Sequence, residues 1–205
     1  MNQKAKPYIY LLASMYLAGG IGLNLPLTNE LFKFLTPFNL LSSVGILLYF
    51  HQDWNKSAIV FCIITFSVGF LVELAGVNTG LIFGHYQYAT TLGFKVGGVP
   101  PMIGVNWLLL IYCVGTVTEY FVDKIAYKIL LGALFMTAFD YIVEPVAIKF
   151  DMWFWENGLP PIQNYVAWFV VSAALLTLFH LSKFRKTNPI AAWLLGFQVL
   201  FFLIG

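Results

Sequence analysis

The sequence predicts an all-α fold: a polytopic transmembrane helical bundle of seven spans, one domain over residues 1–205, with the N-terminus cytoplasmic and the C-terminus outside. Three observations predict it. Of the 205 residues, 60% are hydrophobic and 10% charged, where a soluble domain carries roughly 25% charged residues. Apolar runs recur at lengths near the roughly 20 residues that a membrane-crossing helix needs. Lysine and arginine are concentrated in alternate connections. This composition excludes a water-soluble enzyme. It also excludes a disordered chain, which needs low hydrophobicity and high charge.

The apolar runs fall at 8–25, 34–50, 58–76, 101–122, 126–148, 163–182 and 189–205. The first follows Lys4 and Lys6 as a signal peptide would. At roughly 18 residues it is longer than the hydrophobic region of such a peptide, so it reads as a retained signal anchor. The second is interrupted by Pro37, Asn39, Ser42 and Ser43 and is the least regular. The third and fourth are continuous and contain Cys62 and Cys113, which read as small buried hydrophobes. The fifth contains Pro145, which cannot bond to the carbonyl of Tyr141, so a kink or an end is predicted there. The sixth is continuous. The seventh runs to Gly205 and leaves no room for a tail domain.

Orientation follows from the cations. The N-terminus and connections 51–57, 123–128 and 183–188 hold Lys4, Lys6, Lys56, Lys124, Lys128, Lys183, Arg185 and Lys186. The other set of connections holds only Lys33, Lys95 and Lys149. Eight against three places the N-terminus inside and the long connections 77–100 and 149–162 outside.

Ionisable groups within spans are costly and usually functional. Glu73, Asp140 and Glu144 are the candidates; Glu119 and Asp123 sit near a span end, where water is expected to solvate them. At about 1.5 Å of rise per residue, Glu73 and Asp140 each lie about 22 Å from the inner end of their spans. Asn106 and Trp107 lie about 7–9 Å below the outer boundary, at the same level. Asn164, Tyr165 and Trp168 begin the sixth span from that side. Four helices thus bring polar or aromatic groups to one depth, where Glu73, Asn106, Asp140 and Trp168 are expected to share a pocket. Asp140 and Glu144, four residues apart, share a helix face. Two carboxylates this close in a low dielectric do not both ionise easily, so one is expected to hold its proton.

The connection 77–100 is long, glycine-rich and aromatic, and reads as a lid, with room for a short hairpin. In 149–162, Trp153 and Trp155 read either as interfacial belt residues or as part of the site. His51, His85 and His180 are scattered and give no metal or haem spacing. The seventh run has no lysine for a retinal Schiff base. No nucleotide fingerprint appears, and no nucleophile triad. Few cations lie in the outer half to meet a diphosphate. The sequence therefore predicts no metal, no cofactor and no nucleic-acid partner.

The stretches TGLIFGHYQYATTLG (79–93), GVPPMIGVNW (98–107), FDYIVEPVA (139–147), WFW (153–155) and GLPPIQNYVAWF (158–169) resemble the membrane proteins of carotenoid biosynthesis that include carotenoid hydratases of the bacterioruberin and gamma-carotene type. The resemblance lies within 73–169; the outer helices match only in hydropathy. It implies a multi-pass enzyme of the cell membrane that adds water across the terminal C1'–C2' double bond of an acyclic carotenoid end. The expected substrate is an acyclic or monocyclic carotenoid, with membrane lipid and other carotenoid-pathway enzymes as neighbours. Asp140 is then expected to be the general acid. Glu144, nearer the outer face, would be kept charged by water, and Glu73 would orient or deprotonate the attacking water. The end group would meet His85, Tyr86, Asn106, Trp107, Trp153, Trp155, Asn164, Tyr165 and Trp168. A carotenoid cyclase using the same acid, a proton-coupled carrier and a pigment-binding scaffold are the competing expectations.

Overall fold

The computed structural model describes residues 3–205. Among them are seven helices: α1 Lys6–Asn24, α2 Asn29–Tyr49, α3 Lys56–Thr79, α4 Met102–Thr118, α5 Ile125–Lys149, α6 Ile162–Leu181 and α7 Ala191–Ile204. Each coincides with one apolar run of the sequence. Two three-residue strands, β1 Tyr86–Tyr88 and β2 Trp153–Trp155, complete the fold. The protein is an all-α bundle. Four of its helices (α2, α3, α5 and α6) are long and apolar enough to cross a membrane, while α4 and α7 are shorter apolar helices.

α4 is the hub. Nearly every residue from Ile103 to Thr116 is buried, and the helix packs against α2, α3, α5, α6 and α7. A helix apolar all round can only be stable when enclosed this way. α3 uses one face, burying Phe61, Thr65, Gly69, Glu73 and Gly76 at three- and four-residue spacing. Gly69 and Gly104 bring the two helices close. A Cβ at Gly69 would stand 2.5 Å from that of Trp107, and one at Gly104 would stand 2.8 Å from the Phe66 carbonyl. Small residues allow this approach where packing, rather than water exclusion, holds helices together.

The helix ends follow local chemistry. Asn55 caps α3 by accepting from the Ala58 N–H at 3.0 Å. Gly80, at φ 67°, ends it in the left-handed region. Pro101 and Pro161 precede the first turns of α4 and α6. One expectation is corrected and one narrowed. α2 runs unbroken through Pro37; of the kink or end expected at Pro145, the end is excluded, since α5 continues to Lys149. Each proline removes one ladder bond without ending its helix.

At the end of the bundle carrying residues 50–55, 119–124 and 182–190, side chains tie the connections together. Asn55 donates to the Lys183 carbonyl at 2.9 Å, and the Arg185 N–H donates to Asp53 at 2.9 Å. Glu119 is not simply solvated there: Lys128 lies 2.5 Å and His180 2.8 Å from its carboxylate. Burial pulls the Glu119 carboxyl up, but the bonds from Lys128 and His180 outweigh it and hold it below the ordinary range.

The other end is closed by the strands. The lid expected within 77–100 is instead built from both long connections, β1 pairing antiparallel with β2 in the register Tyr86↔Trp155, Gln87↔Phe154, Tyr88↔Trp153. Alternation along a strand sends Tyr86, Tyr88 and Trp155 inward and Gln87 and Phe154 outward. Lys149 at this end donates to Asn24 at 2.7 Å and to the Gly205 carbonyl at 2.5 Å.

Candidate active site

Beneath the ribbon lies a cavity of about 350 Å³ whose wall includes residues of all seven helices and both strands. Its size is that of a small-molecule pocket. Three carboxyl groups face it. Glu73 on α3 is 4% exposed, Asp140 on α5 is 1% exposed and Glu144, one turn further along α5, is 4% exposed.

Each carboxyl has its own set of donors. Glu73 has the fullest. Tyr88 donates to its Oε2 at 2.7 Å, Tyr86 donates to the same oxygen, and the Trp107 indole donates to Oε1 at 3.1 Å. Burial, with Glu73 beside them, pushes both tyrosine hydroxyls above their ordinary range, so both remain donors. Glu144 accepts two indole N–H groups on Oε2, from Trp155 at 2.7 Å and Trp153 at 3.0 Å. Asp140 accepts from the Asn164 amide on Oδ2 at 2.6 Å. Among the described residues no protein donor meets Asp140 Oδ1 or Glu144 Oε1. No lysine or arginine lines the cavity.

The two carboxylates that flank Asp140 therefore hold down the two strands. Glu73 binds the tyrosines of β1, and Glu144 binds the tryptophans of β2. An isolated two-stranded ribbon is marginal in water; four side-chain hydrogen bonds from its inner face to buried carboxylates anchor this one. The aromatic rings also meet one another, Tyr86 with Trp155 at 4.9 Å and Tyr88 with Trp153 at 6.0 Å between centroids. Elsewhere in the cavity wall Trp107 stacks on Trp168 at 4.4 Å.

The residues expected to share a pocket do so in large part. Glu73, Tyr86, Asn106, Trp107, Asp140, Glu144, Trp153, Trp155, Asn164 and Trp168 all line the cavity. His85 and Tyr165 do not. His85 lies on the outer face of the ribbon, its ring against Gly80, because inward-facing Tyr86 leaves its neighbour pointing out. Tyr165 lies one position round the helix from Asn164 and meets the exposed ring of Tyr141 at 5.8 Å. One further expectation changes. Glu144 is held by two indoles rather than solvated by water, and both Trp153 and Trp155 line the cavity. Glu73 has a protein donor on each oxygen, three in all, which leaves one acceptor position on Oε1.

The sequence reading missed Tyr88, which repeats the inward placement of Tyr86 two residues on and was visible as the period of YQY. It also missed Tyr16, Asn39 and Gln198, which line the cavity from α1, α2 and α7. Tyr16 and Gln198 are isolated polar residues in apolar runs, and Asn39 reads with Ser42 and Ser43 as an interruption of its run; no spacing connects the three helices.

Residues 35–203 match the family described as carotenoid biosynthesis protein. The chain belongs to that family. The match spans α2 to α7, both strands and all three buried carboxylates, and begins after α1. No curated protein and no solved structure is matched by the chain. A role of this family member in carotenoid biosynthesis accords with a cavity that is aromatic, buried and set in an apolar bundle.

Proposed function

We propose that this carotenoid biosynthesis protein is a membrane-embedded hydratase that adds water to the terminal C1'–C2' double bond of an acyclic carotenoid end group. The observation that carries the reading is Asp140. It is a carboxyl group buried in an aromatic cavity, tied through one oxygen to Asn164 and presenting the other without a protein partner. In its protonated form it is a general acid aimed at whatever fills the cavity.

Proton transfer from Asp140 Oδ1 to C2' of the trisubstituted alkene leaves a tertiary cation at C1'. Water adds its oxygen to that carbon and returns a proton to the carboxylate. The cavity wall offers no cation, so a proton is the positive charge available to its three carboxyls. The faces of Trp107, Trp168 and Trp155 stabilise the developing cation electrostatically. Glu73 and Glu144 act by holding the aromatic ribbon in place, and the carboxyl of Glu144, one turn from Asp140, disfavours ionisation of both groups at once. The chemistry needs no redox cofactor.

The same reading has the chain cross the cell membrane seven times, N-terminus inside, with the ribbon at the outer end. The cation asymmetry supports that orientation. The stacked Trp107–Trp168 pair also favours a second reading, an end-group cyclase in which the cation is captured by another double bond. Expression in a lycopene-forming host decides between them. A hydratase product gains the mass of one water; a cyclase product keeps the mass of its substrate, and an unchanged carotenoid rejects both.

A further inference from the structure

The cavity has a second polar place, away from the carboxyls. Gln198 on α7 lines the cavity and is 2% exposed, and its Oε1 has no hydrogen-bond partner. Its amide lies next to the hydroxyl of Tyr16 on α1. Tyr16 in turn is 3.2 Å from Ser43 Oγ on α2, and Ser43 donates to Asn39 Oδ1 at 3.4 Å. Three helices thus contribute one polar thread to an otherwise apolar wall, and the thread ends in an unfilled acceptor. A buried acceptor left unpaired is costly, so it calls for an occupant that can donate.

The place of Gln198 relative to Asp140 can be read from their neighbours. Phe202 meets Phe139, the residue before Asp140, at 5.7 Å. Gln198 precedes Phe202 by one turn of α7. It therefore lies about 6 Å further from the ribbon than the level of Asp140, on a helix that packs directly on α5. An alkene protonated at one carbon and attacked at the next needs its acid and its oxygen nucleophile within reach of adjacent carbons. Asp140 and Gln198 line the same cavity about one helical turn apart in level, so a water held at Gln198 can reach C1' and still return a proton to Asp140.

We propose that Gln198, supported by Tyr16 and Ser43, is the hydroxyl-binding subsite of the cavity: it holds the O–H of the water that adds to the alkene and, after addition, the tertiary hydroxyl of the product. This rests on the hydratase reading. Gln198 Oε1 accepts a hydrogen bond from the water, which orients a lone pair toward C1'. When the C–O bond forms, the other proton of the water leaves for the Asp140 carboxylate, and the product hydroxyl keeps its bond to Gln198. Glu73, held by Tyr86, Tyr88 and Trp107, is then a positioning residue for the ribbon.

The test separates cation formation from water capture. Membranes carrying the parent, Gln198→Met or Gln198→Glu are incubated with an acyclic carotenoid in deuterated water. Hydrated product is weighed, and recovered substrate is examined for deuterium. Gln198→Met keeps the shape and removes the acceptor. It should lower hydrated product about tenfold or more while recovered substrate still gains deuterium, because the cation formed at Asp140 loses a proton instead of gaining water. Gln198→Glu keeps an oxygen acceptor and should hydrate within a few-fold of the parent. If Gln198→Met does not accumulate in the membrane, Gln198→Asn, with its amide drawn back by one carbon, should give the same split. Hydration unchanged by loss of the acceptor overturns the proposal. So does a parallel loss of hydration and deuterium uptake at normal protein level. A parent that yields no hydrated product overturns the hydratase reading itself, and the subsite's role with it.

Discussion

Tyr86 and Trp155 face each other across the two-stranded ribbon, their rings 4.9 Å apart, and donate to different carboxylates, Tyr86 to Glu73 and Trp155 to Glu144. The pair couples two helices, α3 and α5, through the roof of the cavity.

That coupling is measurable. Tyr86→Phe and Trp155→Phe each leave a buried carboxylate short of a donor and should each cost about 1–3 kcal/mol. Because either change loosens the same ribbon, the double variant should cost less than the sum by about 0.5 kcal/mol or more. Thermal unfolding in detergent gives the four values; strict additivity would mean that the two anchors work independently.

Asp140→Asn keeps shape and packing but cannot donate an acidic proton. Hydrated product should fall by about a hundredfold or more, with carotenoid binding and detergent-solubilised protein unchanged. If Asp140→Asn turns over within a few-fold of the parent while Glu144→Gln or Glu73→Gln is inactive, the acid is one of the other two carboxyls.

Gly69→Ala should destabilise by about 1–3 kcal/mol, since its Cβ would meet Trp107 at 2.5 Å. Trp107 donates to Glu73, so its fluorescence should shift with the displacement. Gly45→Ala, a helical site with open space around it, is the control and should be neutral or slightly stabilising. Equal melting temperatures for the two variants would contradict the close α3–α4 contact.

Glu119 predicts a response to acid. Its carboxyl is held below its ordinary value of 4.5 in the folded protein, so the unfolded chain binds a proton there first. The stabilisation is present above pH 4.5 and is lost as pH falls from there through the lowered folded value. Glu119→Gln should flatten that part of a stability–pH curve measured in detergent. A curve of the same slope in parent and variant would assign the acid response to other groups.

Single cysteines at Lys95 and Lys186 test the orientation. A membrane-impermeant thiol reagent added to intact cells should label the Lys95 position and leave the Lys186 position unlabelled until the cells are opened. The reverse pattern would invert the topology.

The helices were legible because a membrane-length apolar run is a strong signal that does not depend on partners. All seven runs became helices, including the one broken by Pro37. The carboxylates were legible for a related reason: in an apolar run a charge stands out, and helical rise converts its position into depth. What pairs with what was not legible. Asn164 could be placed level with Asp140, but that it bonds to Asp140 and that the indoles of Trp153 and Trp155 bond to Glu144 depends on side-chain direction. His85 and Tyr165 were misplaced for the same reason, since each sits beside a true cavity residue and points the other way. Gln198 carries no local signal at all; only the meeting of α1, α2 and α7 places it in the cavity wall.

The two strands of the roof are separated by the whole of α4 and α5. During synthesis β1 emerges with nothing to pair with, and Glu73 waits below it without its roof. The partner strand arrives only after the central helix α4 and its neighbour α5 have been made. Contacts this far apart in the chain form late, because the intervening loop must be closed first. The cavity is therefore among the last parts of the protein to take shape. A chain stopped before Trp153 would leave the α3 carboxylate in place with only β1, unpaired, to cover it.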